Sequence, residues 1–168
     1  MIETLNPPAL PKVSDREKLD RFTAAALAAK EYHVEMPVKH WFTPGLYVRQ
    51  IHVPAGTIVV TRIHKTEHPF VLSQGECEVW CPDKGWQRIK APFTGITFPG
   101  TQRLVLCHGD VVWTTFHPGP WAPDTDPDII LNELSTMPDL TTYLAAAPVT
   151  VLDALRSYLP AIEGGSPL

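Results

Sequence analysis

An all-β fold, an antiparallel barrel or sandwich flanked by short helical segments, is the class this sequence predicts. Three observations point there. From about Trp41 to Pro118 apolar residues recur with a period of two in short β-rich runs. Turn signals separate the runs: Pro54-Ala55-Gly56, Ser73-Gln74-Gly75, Pro82-Asp83-Lys84-Gly85, Pro99-Gly100 and His108-Gly109-Asp110. The chain also holds 18 prolines and 10 glycines, which divide it into many short segments with sharp turns.

Taken in order, residues 1–13 carry Pro7, Pro8 and Pro11 and read as an extended arm. Ser14-Asp15-Arg16-Glu17 has the capping-box pattern, so a helix starts there and runs to about Lys30. Its apolar stripe, Leu19, Phe22, Ala26 and Ala29, is modest and suits a helix packed on the outside of something larger. Strands are expected near 46–53, 57–64, 68–73, 76–81, 86–90, 95–98, 103–108 and 111–117. Runs such as Thr57-Ile58-Val59-Val60 are β-branched and suit a pleated surface. Trp80, Trp86, Trp113, Phe70 and Phe98 are assigned to the barrel core.

After Pro118 the chain turns Pro-rich again, with helix starts at Asp126-Pro127, Met137-Pro138-Asp139 and Thr150, the last ending at Pro160. Gly164-Gly165-Ser166-Pro167 reads as a frayed end. The expected organisation is therefore an arm and helix over 1–44, a barrel over 45–118, and a Pro-rich segment with C-terminal helices over 119–168.

Composition narrows the function classes. With 168 residues, 44% of them hydrophobic and 19% charged, the chain supports one sizeable core. A net charge of −4 with no run of Lys or Arg argues against a nucleic-acid backbone binder. No apolar run approaches the length of a membrane span, and Met1-Ile2-Glu3-Thr4 is not a secretion signal, so a cytoplasmic location is expected. The odd set Cys77, Cys81 and Cys107 reads as reduced thiols. On a strand Cys77 and Cys81 share a face, as small apolar fillers.

The chemistry concentrates between Pro54 and Glu76. There Pro54-Ala55-Gly56 and a β-branched run precede Arg62-Ile63-His64-Lys65-Thr66-Glu67-His68, followed by Val71-Leu72-Ser73-Gln74-Gly75. This stretch resembles the first motif of the cupin superfamily: a Pro-Gly-type turn, a strand ending in His-x-His, a Glu shortly after, then V-L-x-G. Gly95-Ile96-Thr97-Phe98-Pro99-Gly100-Thr101-Gln102-Arg103 resembles the second motif, in which a Gly, a Pro-x-Gly turn and a His follow one another. The resemblance covers residues 45–118 and implies a double-stranded β-helix, a jelly-roll barrel with ligands held inside. More narrowly, Ile63-His64-Lys65-Thr66-Glu67-His68 and Val112-Trp113-Thr114-Thr115-Phe116-His117 resemble small cupin-like proteins encoded by bacteriophages and prophages. That narrower likeness implies a fold more than an activity.

In the superfamily the metal is commonly held by the two histidines of His-x-His, the Glu and the second-motif His. The matching positions here are Arg62, His64, His68 and Arg103. Arginine stays charged and cannot ligate a cation, so the ordinary four-ligand site is absent. Two readings stay open. In the first, His64 and His68, at even spacing on an extended ribbon, hold a divalent ion with a third ligand drawn from His117, His108, His52 or Glu67. His117 is preferred because it ends the last expected strand. Three protein ligands with an open position suit a catalytic site, and the expected ion is zinc, iron, nickel or manganese. In the second, Arg62 and Arg103 grip a carboxylate or phosphate, with Glu67 neutralising one of them and His64 and His68 as hydrogen-bond partners or an acid–base pair.

Against both stands the plain reading of a histidine pair at strand ends as a satisfied polar feature. The i, i+4 spacing also fits a zinc-binding helix, but Val59, Val60, Ile63, Pro69 and Val71 oppose a helix there. His108 reads as a solvated hairpin residue, and His33 and His40 as surface residues ahead of the barrel. The function expected is a metal-binding cupin-like protein acting on or sensing a small anionic molecule, as an isomerase, hydrolase or oxygenase or as a sensor. The alternative is a non-catalytic phage or prophage accessory or structural protein working through protein contacts. Expected partners are a small-molecule ligand, a second copy in a homodimer paired through sheet edges or the N-terminal arm, and, for the alternative, another phage protein. Neither nucleic acid nor membrane is among them.

Overall fold

The computed structural model of the chain describes residues 13–82 and 84–145. The arm expected over 1–13, apart from its last residue, and the helix and frayed end expected beyond Thr150 lie outside the described residues.

Helix α1 (Asp15–Ala28) begins where its cap predicts: Ser14 Oγ accepts a hydrogen bond from the Glu17 backbone N–H at 3.2 Å. It buries Leu19 and Phe22 against Leu104 and the half-buried Trp80 and Trp86. Along strand β6 (Glu76–Cys81) Cys77, Val79 and Cys81 belong to the inner core, so Trp80 emerges on the outer face, which α1 covers.

The all-β class is observed. The other strands are β1 (Val38–Thr43), β2 (Leu46–Val53), β3 (Ile58–Val60), β4 (Ile63–His64), β5 (His68–Gln74), β7 (Gly85–Lys90), β8 (Phe93–Thr97), β9 (Leu104–Cys107) and β10 (Val111–Pro118). A five-stranded sheet in the order β1-β2-β10-β5-β8 faces a four-stranded one in the order β3-β9-β6-β7, with every pairing antiparallel. That order is a jelly roll, the double-stranded β-helix. Helix α2 (Pro127–Leu134), strand β11 (Ser135–Thr136) and the one-turn helix α3 (Thr141–Leu144) follow.

The core between the sheets centres on Leu72, Cys77, Val105, Cys107 and Val111. Cys77 and Cys107 stand opposite each other on β6 and β9, and all three thiols are free. Gly75 makes the tight β5–β6 turn at φ +88°, and a Cβ there would collide with the Asp110 carbonyl oxygen.

The structure departs from expectation in four places, the first being that Trp80 and Trp86, assigned to the barrel core, pack outside it against α1. The sheet starts at Val38, within the segment assigned to the arm and helix, because β1 pairs with β2 along its whole length. The strand expected over 57–64 is broken at Thr61-Arg62. There Thr61 Oγ1 accepts from the Arg103 backbone N–H at 2.9 Å, and the Gln102 side chain donates to the Thr61 carbonyl at 3.0 Å. These side-chain bonds supplement a main-chain bond from the Thr61 N–H to the Arg103 carbonyl at 2.9 Å, and beyond the break His64 pairs with β11. Phe98, assigned to the core, is 50% exposed, one step beyond the end of β8.

Helix α2 starts at Pro127 behind Asp126, whose carboxylate accepts from the Asp128 N–H at 2.9 Å. It buries Ile130 and Leu134 against Tyr47 and so closes one end of the barrel. Among the described residues, no helix is long and apolar enough to cross a membrane.

Candidate functional site in the barrel cavity

A cavity of about 430 Å³ lies between the sheets beneath α2. Strand alternation builds its walls: β2 contributes Tyr47, Arg49, Ile51 and Val53, and β10 contributes Val111, Trp113, Thr115 and His117, every second residue in each case. The polar lining residues His64, His117 and Arg62 lie towards α2, the apolar ones towards the inner core, and Arg103 reaches that apolar side over Phe70 and beside Cys81.

Three of the predicted metal-site residues come together at the polar end. The rings of His64 and His68 have centroids 4.9 Å apart, and those of His68 and His117 4.2 Å apart. His68 and His117 are buried, at 1% and 4% exposure, while His64 is partly buried. Main-chain bonds fix His64: its N–H donates to the Thr101 carbonyl at 3.0 Å and its carbonyl accepts from Gly100 N–H at 2.7 Å. His68 Nδ1 lies 3.0 Å from the Thr66 carbonyl, which only accepts, so Nδ1 carries the proton and Nε2 a free lone pair. That Nε2 is buried without a partner, and so is His117 Nδ1, whose ring uses Nε2 in a 2.9 Å bond with Thr115 Oγ1.

All three imidazoles are neutral. Burial, then the charges of His68, Arg103 and Arg49, lowers His64 to a pKa of about 3. Burial, followed by the charges of His68, His64 and Arg49, takes His117 to about 3. Burial also lowers His68, with the Thr66 carbonyl opposing and Arg103 reinforcing the shift. Neutral rings with bare lone pairs are the form in which histidine binds a metal. As the side chains stand, no three His, Cys, Asp or Glu groups among the described residues converge closely enough to hold an ion. The donor types are those that suit a divalent metal, but the rings as placed do not form a site for one.

Arg103 is 9% exposed and faces the same cavity, as the anion reading expects. Its Nη2 donates to Thr97 Oγ1 at 3.0 Å, and its guanidinium carbon lies 5.4 Å from the centre of the Phe70 ring. Arg62 also lines the cavity; its Nη2 donates to Asn132 Oδ1 on α2 at 2.9 Å, and its Nε is buried without a partner. Glu67 does not join them. It is exposed beside the β5 start and absent from the lining, so it neutralises neither arginine inside the barrel. His108 pairs with Glu78 at 3.0 Å on the outer hairpin, and His52 bonds Gln50 at 3.1 Å away from the lining, so of the four alternatives for a third ligand only His117 lies in the cavity.

Sequence reasoning missed Arg49 and misplaced His40. Both line the cavity. His40 Nδ1 lies 2.7 Å from the Tyr47 hydroxyl, and Tyr47 stacks between the His40 and His117 rings, at 5.9 and 6.0 Å. Arg49 follows Tyr47 at even spacing on β2, a signal that would have placed it inward once Tyr47 was placed there.

No protein-family model matches the chain, and no curated protein matches it. Solved structures similar in backbone include a cupin-2 domain containing protein from Shewanella frigidimarina, at 8% identity and a TM-score of 0.42, spanning 56% of this chain and 91% of that one. An RmlC-like cupin family protein with a double-stranded β-helix fold from Methanocaldococcus jannaschii gives 13%, 0.43, 53% and 85%. An uncharacterized conserved protein with a double-stranded β-helix domain from Klebsiella pneumoniae gives 19%, 0.44, 54% and 86%.

Proposed function

We propose that this barrel is a cupin-like metal-binding protein that acts on or senses a small anionic molecule, with His64, His68 and His117 as the protein ligands. The observation that carries the reading is the pair of bare nitrogens, His68 Nε2 and His117 Nδ1, on neighbouring neutral rings in one buried pocket. A buried imidazole nitrogen without a partner forfeits hydrogen-bond energy, which a ligated ion restores. A divalent ion held by three protein groups offers Lewis acidity at its open position. The chain's own residues would do the rest: Arg103 and Arg49 supply positive charge to the same cavity, and Ile130 and Leu134 of α2 pack an apolar cover against Tyr47.

Elemental analysis of the purified protein tests this. Wild type and His33→Ala should retain zinc, iron, nickel or manganese near one equivalent, since His33 is exposed and bonded to the Ala26 carbonyl. His64→Ala should lose it. Equal metal in wild type and His64→Ala, or only traces in wild type, removes the metal reading.

A second reading has an observation of its own. Phe93, Ile96 and Phe98 are 38%, 45% and 50% exposed on and just past β8, one of the two edge strands of the larger sheet. An exposed apolar edge strand suits pairing with another chain, whether a second copy or, for a non-catalytic phage accessory role, another phage protein. Light scattering that gives a monomer at tens of micromolar, on the order of usual assay concentrations, counts against the homodimer.

A further inference from the structure

The cavity is two-sided in a way that specifies its occupant. At the polar end, the Arg49 guanidinium makes no ion pair and no side-chain hydrogen bond among the described residues, although burial already disfavours its charge. Arg103, in the same lining, is held by the Thr97 hydroxyl and the Cys81 thiol and has no carboxylate partner among the described residues. The acid in the lining is Asp128, exposed on α2. Two cations facing one cavity, Arg103 buried and Arg49 partly buried, repel each other and lose hydration, and an anion between them offsets both effects. At the other end Ile51, Val53, Val59, Val105, Val111 and Trp113 present no charged group. An inorganic anion would leave that half unfilled, and a hydrocarbon would leave the Arg49 guanidinium without a partner.

We propose that the cavity binds an organic acid with an apolar body, its carboxylate between Arg49 and Arg103 and its aliphatic or aromatic part against Ile51, Val105 and Trp113. A guanidinium presents its N–H groups as a fork that matches a carboxylate, and the apolar wall rewards each methylene taken out of water. The volume of about 430 Å³ falls within the range of pockets that enclose small organic ligands. This narrows the anionic ligand proposed above to one class and rests on that reading of the cavity, but not on the metal.

The test titrates the full chain, stripped with EDTA, with sodium octanoate, octan-1-ol and sodium acetate by calorimetry. Octanoate should bind at least roughly tenfold tighter than either the alcohol, which lacks the charge, or acetate, which lacks the body. Arg49→Met should weaken octanoate by a similar factor and leave octan-1-ol unchanged. Octanoate binding no better than the alcohol, no better than acetate, or not at all overturns the proposal, and the wild-type comparison decides even if Arg49→Met fails to fold. Repeating the titration with zinc chloride separates the two ideas. Octanoate binding in a protein that retains no metal leaves this proposal standing and removes the metal; retained metal with no preference for octanoate does the reverse.

Discussion

His68 and His117 sit with ring centroids 4.2 Å apart, and each commits one nitrogen to a hydrogen bond while its other nitrogen is buried and bare. A proton added to either ring would place a charge beside its neighbour and beside Arg103 or Arg49. The pair is therefore held neutral by its surroundings, and folding should register that constraint.

The first expectation is a loss of stability on acidification. His117 titrates near 3 in the folded protein against 6.5 for the free side chain, and His64 behaves alike. Between those values the unfolded chain binds protons that the folded one refuses, so stability is full above about pH 6.5 and falls as pH drops towards 3. Urea midpoints of metal-free protein across about pH 7 to pH 4 should fall, and His117→Gln should flatten the slope. Identical slopes for wild type and variant would show that His117 is solvated.

Thiol chemistry offers the second. Burial, then the neighbouring thiol of Cys107, raises Cys77 to a pKa of about 12, and burial raises Cys107 to about 11. Thiolate is the reactive form, so both should resist iodoacetamide in native protein near neutral pH and react once urea is added. Mass spectrometry of tryptic peptides reads the labelling; rapid native labelling of Cys77 contradicts the packing described.

At the β5–β6 turn, Gly75→Ala forces a side chain into φ +88° and against the Asp110 carbonyl. It should cost about 1–3 kcal/mol by chemical denaturation. Gly109→Ala, with open space around its Cβ, should stay within about 0.5 kcal/mol.

The helix over the cavity gives a fourth contrast. Ile130 is fully buried and its neighbour Ile129 is 53% exposed. Ile130→Ala should destabilise the protein by about 2–5 kcal/mol, and Ile129→Ala by no more than about 0.5. Comparable losses at both positions would mean that α2 does not dock as described.

How much of this was legible beforehand depends on what each residue faces. Leu46–Val53 and Glu76–Cys81 coincide with the strands expected, because their apolar residues alternate and turn residues bound them. Val38–Thr43 escaped notice: as an edge strand its exposed positions carry both Lys39 and Trp41, and the alternation blurs. Arg103 was found through its motif slot, and His117 through its place at a strand end. Arg49 and His40 were not, because a charged or polar residue on a strand is assigned to the solvent face by default, even where, like Arg49, it shares the inward phase of Tyr47, Ile51 and Val53. Glu67 failed for the opposite reason: it sits among the motif residues, yet the chain turns outward there to start β5.

The ribbon of β4 and β11 joins Ser135 to His64 and Thr136 to Ile63, with Lys65 N–H donating to the Leu134 carbonyl at 2.9 Å. During synthesis both principal sheets can close once Pro118 has emerged, whereas the strand that carries His64 waits for its partner until Thr136 has been made. Closing so long a loop adds an entropic step after the core has condensed. The wall of the pocket that carries His64 is thus completed after the two principal sheets, and a nascent chain can hold a closed barrel core before that wall is in place.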